Sequence, residues 1–235
     1  MLGRLRKQKR TRRQVLLDRA SGPAALLGDL DQAVLRLLRT RGHGPVAESL
    51  MKVLGLSGEY GAVWIGIGAA AAAADERRRP RWIAAAGVAP AAIVLNFAVK
   101  RTIGRQRPVI TEHPPLARAP SKLSFPSAHA TSSFAAAAAL GRVEPRANVP
   151  LHGLALAIAI GRPYLGMHYP SDVVAGAVLG AVLGRIVPGL DARSTEQPSP
   201  QQGEADPTPS DRGSEAASVD DSSQPSGSGG GGRNT

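Results

Sequence analysis

Five apolar runs, almost free of charge, crowd into about 130 residues and set what this chain can fold into. Residues 60–74 are uncharged, and the stretch 75–81 that follows carries Arg77, Arg78, Arg79 and Arg81. Residues 82–99 are eighteen positions without a charge, residues 130–141 and 151–161 are further apolar blocks, and residues 173–190 are broken only by Arg185. A bilayer crossing takes roughly 20 residues, and each run just reaches or falls short of that length. A soluble alanine-rich bundle could bury such helices, but five of them leave too little polar face to solvate a globule. Upstream, residues 30–41 place apolar side chains at 30, 34, 35, 37 and 38 with arginines between them, an amphipathic pattern suited to the membrane interface. No stretch alternates with period two, the connecting segments carry Gly and Pro, and no internal repeat is present. The expected fold is therefore all-α, an integral-membrane helical bundle of about five or six helices.

The two ends differ in kind. Residues 1–19 hold eight Lys/Arg against Asp18 alone, whereas residues 191–235 hold eight Asp/Glu against three Arg. The C-terminal stretch has almost no large apolar residue and cannot offset the entropy of ordering, so a disordered acidic Ser/Pro/Gly-rich tail is expected over 191–235. The basic run at 1–20 has no apolar segment or small-residue cleavage site behind it, so it reads as a solvated arm against anionic headgroups rather than a signal peptide or a nucleic-acid contact. That leaves a membrane domain over 21–190. The chain has no cysteine, which removes disulfide scaffolds, thiol nucleophiles and cysteine zinc sites.

Charged groups beside apolar runs are costly unless they are functional, and three segments place them there. In the first, residues 100–108, Lys100 ends the run at 82–99 and Arg107 lies seven residues on. An ammonium and a planar guanidinium on one side suit an oxyanion such as phosphate; with Arg101 and Arg105 beside them, the same cluster could equally be a positive-inside signal. In the second, residues 124–129, Pro126 and Ser127 precede an apolar run. The backbone N–H groups of Ser127, Ala128 and His129 at a helix start would make an anion site, with the Ser127 hydroxyl as a further donor. His129 could share a proton there, or be an ordinary polar residue at a helix start. In the third, residues 162–172, His168 and Asp172 stand four apart, with Ser171 as expected N-cap of a helix beginning near Asp172. A carboxylate held against one imidazole nitrogen fixes the tautomer and sharpens the other as a nucleophile. Arg162 adds a third cation. Three cations, two histidines, one aspartate and a helix start match phosphoryl transfer without metal.

Lys100 with Arg107-Pro108 reproduces K-x6-R-P, residues 126–129 resemble P-S-G-H, and Arg162, His168 and Asp172 fit R-x5-H-x3-D. Over roughly residues 30–190 the chain resembles the type 2 phosphatidic acid phosphatase superfamily, shared with bacterial acid phosphatases and vanadium haloperoxidases. It departs twice: Ala128 replaces the motif glycine and Gly161 the serine before Arg162. The resemblance implies a two-step mechanism in which His168 attacks phosphorus, Asp172 orients it, and His129 protonates the leaving oxygen and later activates water. It further implies that Lys100, Arg107, Arg162, Ser127 and the N–H of Ala128 hold the phosphate oxygens. No metal and no cofactor are implied; His43, His113 and His152 match no motif position.

The expected activity is thus a metal-independent integral-membrane phosphatase acting on a lipid phosphate, of the polyprenyl phosphate, polyprenyl diphosphate or phosphatidic acid kind, through a phosphohistidine. The alternatives are a vanadate-dependent haloperoxidase, which the apolar runs oppose, and a catalytically silent lipid-binding scaffold, which the intact histidines oppose. The expected partners are the lipid phosphate and the membrane, with no nucleic acid. The Ala, Arg and Gly excess suggests a high-GC bacterium, hence a multi-pass protein of the bacterial cell membrane. Placing the basic loops at 75–81 and 142–146 in the cytoplasm turns the active site outward.

Overall fold

Alanine is the strongest helix former and proline is well tolerated in a first helical turn, and together these two residues write much of the local structure. The computed structural model describes residues 23–119 and 121–191, so the expected basic arm at 1–20 and the expected tail from 192 onward lie outside the described residues. The helices are α1 (Pro23–Thr40), α2 (Pro45–Ser57), α3 (Ala62–Ala74), α4 (Arg79–Ile103), α5 (Ala128–Val143), α6 (Asn148–Tyr164) and α7 (Pro170–Ile186). Single 3-10 turns at Glu59–Gly61, Glu76–Arg78 and Pro145–Ala147 join consecutive helices. Among the described residues there is no strand, only an isolated bridge between Gln106 and Leu123. All five apolar runs are helical, as α3 to α7, and the amphipathic stretch is α1. The further helix is α2, whose Glu48 and Lys52 interrupt its leucines and so leave no uncharged run to read in the sequence.

Helix α5 is the axis: nearly every residue from Ala130 to Val143 is buried, and α4, α6 and α7 pack around it. Close approach is written into α7, where Gly176, Gly180 and Gly184 recur every fourth residue and face the backbone of Ser127, Thr131 and Ala135 on α5. Such stripes of small residues let helix backbones meet where apolar burial alone cannot distinguish protein from lipid. Trp64 of α3 is fully buried and its Nε1–H donates to Ser133 Oγ of α5 at 3.1 Å. Replacing Ser133 by Ala strands that buried donor, and thermal unfolding in detergent should show a loss of about 1–3 kcal/mol; an unchanged midpoint would contradict this packing.

Among the described residues one helix, Glu76–Ile103 with its leading turn, has the length and apolarity to cross a membrane, and α2 with Glu59–Ala74 passes the same test as a pair bent by 56°. One end of the bundle is basic and clamped: Arg78 holds Asp75 and Glu144 and donates to the Val143 carbonyl, and Arg142 donates to the carbonyls of Arg185 and Val187 and pairs with Asp191. The three motif segments gather at the other end, about 24 Å away along the sixteen residues of α5. Helix α1 has its faces reversed relative to a soluble amphipathic helix. Asp31, Leu35 and Arg39 form the buried stripe, while Leu26, Leu27, Leu30 and Leu37 are more than half exposed.

Candidate active site

At the motif end, α4 delivers Lys100 in its last turn, buried, with Nζ donating to the carbonyls of Leu123 at 3.2 Å and Ser124 at 3.3 Å. After the α4 terminus the chain brings Arg107 back across the site, where Nε donates to the Ser121 carbonyl at 2.8 Å and Nη1 to the Met167 carbonyl at 2.6 Å. Arg107 Nη1 also lies 3.1 Å from His168 Nε2. A guanidinium can only donate, so Nε2 is the accepting nitrogen and the His168 proton sits on Nδ1. Nδ1 faces Asp172 Oδ2 at 3.5 Å. Burial, with Arg107, Lys100 and Arg162 nearby, pushes the His168 imidazole down to about 3 against the opposing pull of Asp172. The ring is therefore neutral at physiological pH, and its Nε2 lone pair accepts the hydrogen bond from Arg107.

Asp172 has no solvent exposure and its carboxylate is held from four sides. It accepts from the Ser124 hydroxyl, from the Tyr169 backbone N–H at 2.9 Å, from Arg105 Nη1 at 2.8 Å, and faces His168. The expected Ser171 cap is corrected by the structure: α7 starts at Pro170, the capping residue is Tyr169, and Asp172 in the first turn closes the cap onto the Tyr169 N–H. Pro170 forces this, because the residue before a proline is driven into extended backbone, and Tyr169 has φ −73° and ψ 152°.

Lys100, Arg107, Ala128, His129, Arg162 and His168 line one cavity of about 270 Å3. Arg162 comes from the last turn of α6, is 5% exposed, and its Nε has no hydrogen-bond partner among the described residues. His129 Nε2 lies 3.0 Å from the Gly55 carbonyl of α2, which can only accept, so this nitrogen carries a proton. Ser127 sits behind the cavity wall. Its hydroxyl caps α5 by accepting from the Ala130 N–H at 3.5 Å, and its own N–H donates to the Asp172 carbonyl at 2.9 Å. That amide is thus occupied, and of the three amides expected at this helix start, Ala128 and His129 are the two outside the α5 ladder. His43, His113 and His152 lie outside the cavity; His43 stacks on Tyr164 at 4.2 Å.

Several residues at the site carried no sequence signal of their own. Gly55 is one: a Cβ there would lie 2.9 Å from Arg162 Nη1, so a larger residue would make that guanidinium shift where α2 closes over it. Asn96, one turn before Lys100, donates to Thr131 Oγ1 at 2.9 Å and lines the cavity. Ser124 belongs to the second motif segment, where its link to Asp172 is invisible, and Arg105 is hidden among other cations.

Residues 76–196, more than half of the chain, match the family model of the PAP2 superfamily. The chain belongs to this superfamily. This PAP2 protein is 43% identical over 134 residues to decaprenylphosphoryl-5-phosphoribose phosphatase of Mycobacterium tuberculosis, a match covering 55% of the chain and 72% of that relative. It is 37% identical over 94 residues to lipid A 1-phosphatase of Rhizobium johnstonii, covering 37% of the chain and 38% of the relative. Two solved structures share its fold. The transmembrane PAP2 type phosphatidylglycerolphosphate phosphatase from Bacillus subtilis superposes with a TM-score of 0.56 at 24% identity, covering 73% of this chain and 88% of that one. LpxE of Aquifex aeolicus gives 0.56 at 25% identity, over 67% and 93%. The expected all-α membrane bundle and the reading as a PAP2 lipid phosphatase stand with these findings, ahead of the haloperoxidase and scaffold alternatives.

Proposed function

We propose that this PAP2 phosphatase removes a phosphate monoester from a sugar carried on a polyprenyl phosphate, acting as a multi-pass protein with its active site facing outward. The observation that carries the catalytic reading is the convergence of Lys100, Arg107, Arg162, His129 and His168 on one cavity from segments far apart in the chain. Support for the lipid comes from the similarity to a decaprenylphosphoryl-5-phosphoribose phosphatase along most of that relative's length. Apolar Ile93 and Phe97 on the same cavity wall offer a surface for a prenyl chain beside the cations. Support for the orientation comes from the basic residues at 77–81, 142 and 146, which sit at the end of the bundle away from the site.

Phosphate oxygens are held by Lys100, Arg107 and Arg162 with the Ala128 N–H, donors that also meet the charge spread over the equatorial oxygens during transfer. As Arg107 Nη1 turns from Nε2 of His168 to a phosphate oxygen, Nε2 attacks phosphorus, the N–P bond forms and the P–O ester bond breaks. His129, with Nε2–H held by Gly55, takes the proton of a phosphate monoanion onto Nδ1 as the substrate binds and passes it to the leaving sugar oxygen. The same Nδ1 then takes a proton from water, whose oxygen displaces His168 and releases inorganic phosphate. Asp172 steadies the Nδ1–H of His168 and the positive charge the ring gains on attack.

The test is phosphate release by the detergent-purified full chain from a polyprenyl-phosphoryl phosphosugar, a polyprenyl diphosphate, phosphatidic acid and phosphatidylglycerol phosphate, each with and without EDTA. The phosphosugar lipid should show the highest kcat/KM, unchanged by EDTA. A higher kcat/KM on any other lipid would overturn the substrate, and release that needs a divalent metal would overturn the mechanism.

A further inference from the structure

The carboxylate of Asp172 is gripped by a residue outside the motif positions. Arg105 Nη1 donates to Asp172 Oδ1 at 2.8 Å and to Ser171 Oγ at 2.7 Å, its Nη2 donates to Asp31 Oδ2 at 2.7 Å, and the guanidinium lies 4.1 Å from the centre of the Tyr169 ring. Asp31 belongs to α1, 74 residues before Arg105, and is 5% exposed. It also accepts from the Ser171 N–H at 2.8 Å and from the Ser171 hydroxyl. One guanidinium thus bridges two buried carboxylates, and both of those carboxylates fasten the first turn of α7. Eight residues on, Arg39 fastens the other side of the same region, donating to the Tyr164 carbonyl at 2.9 Å and the Pro114 carbonyl at 2.7 Å. Helix α1 is a strap laid across the catalytic loops.

We propose that Asp31 and Arg105 are positioning residues, which hold the Asp172 carboxylate so that Oδ2 stays on Nδ1 of His168. Neither lines the cavity, so neither meets the substrate. Asp172 has two oxygens and can rotate about its terminal bond. With Oδ1 engaged by Arg105, that rotation is blocked and Oδ2 is left to Ser124, Tyr169 and His168. Arg105 is itself kept from turning by Asp31, since the planar fork of arginine fits two carboxylates at fixed angles. A misplacement on the order of 1 Å at a reacting group costs about 100-fold in rate, and loosening a supporting contact costs part of that.

This inference rests on the assignment of His168 and Asp172 given above, and the experiment separates the two. Phosphate release is measured for Asp31→Asn, Arg105→Lys and Asp172→Asn, and for Asp31→Asn combined with Asp172→Asn, with the thermal midpoint of each. Asp31→Asn and Arg105→Lys should each lower kcat about 10- to 100-fold at unchanged KM and nearly unchanged midpoint. On the Asp172→Asn background the Asp31→Asn change should cost less than about twofold, because the group it positions has already been neutralised. A purely structural role predicts the full loss on both backgrounds, and that result overturns the proposal, as does a kcat within about twofold of the parent in both single variants. If Asp31→Asn fails to fold, Arg105→Lys alone decides: an unchanged kcat overturns the proposal. An Asp172→Asn variant with full activity would overturn the underlying assignment as well.

Discussion

Phosphate release falls by at least about 10^3-fold when His168 is replaced by Ala, while the protein still folds. The size follows from what is removed. No other described side chain in the cavity offers an imidazole lone pair at the place His168 holds; His129 is tied by its Nε2 to the Gly55 carbonyl on α2. The cations that hold phosphate stay, so KM changes less than kcat. Folding survives because the gap lies between Arg107 and Asp172, groups of opposite charge that have their own partners in Ser121, Met167, Ser124 and Tyr169. Steady-state kinetics with a thermal midpoint checks both halves, and rapid quenching at alkaline pH, where a phosphohistidine survives, should trap a phosphorylated chain in the parent and none in the variant. Activity within tenfold of the parent would remove His168 from the role of nucleophile.

The largest effect on stability should come from Gly180→Val. A Cβ at Gly180 would meet the Thr131 carbonyl oxygen closer than carbon and oxygen can approach, and the Ala135 nitrogen at 3.0 Å. Both obstacles are backbone of α5, which cannot swing aside as a flexible side chain would. The helices must part, at a cost of about 3 kcal/mol or more. Their parting also pulls on the Ser127 N–H to Asp172 carbonyl bond that joins the two helix starts, so kcat should fall with stability. Gly87→Ala on α4 is the control: a Cβ there meets nothing within 4 Å, and the substitution should leave the midpoint unchanged or raise it through the unfolded chain by about 0.4–1 kcal/mol. Equal midpoints for Gly180→Val and the parent would refute the close packing of α5 and α7.

Helices α3 to α7 were legible because runs of Ala, Leu, Val and Ile without charge leave a chain few alternatives to buried or lipid-facing helix. Six of the cavity residues, Lys100, Arg107, Ala128, His129, Arg162 and His168, were legible for another reason: each sits in a short polar segment beside an apolar run. What could not be read is whatever depends on which distant helix arrives. Asp31 meets Ser171 across 140 positions, and no local pattern encodes that meeting. Gly55 shows the same limit: a glycine in an ordinary amphipathic helix gives no hint that an arginine 107 residues later will lie against it. The Ser171 cap was misread for a smaller reason, since the restraint that Pro170 places on Tyr169 outweighs the capping preference of serine.

The reversed faces of α1 would make an amphiphile that covers its exposed leucines a ligand of the aligned enzyme. Leu26, Leu27, Leu30 and Leu37 point away from the bundle while Asp31 and Arg39 grip the loops beneath, so any hydrocarbon that covers the leucines would act on the same helix as the ions that hold the loops. Anything that binds the assembled state and not the detached one shifts the balance by mass action. Diluting the amphiphile around this protein should therefore release α1 first, and the loss of turnover should precede global unfolding.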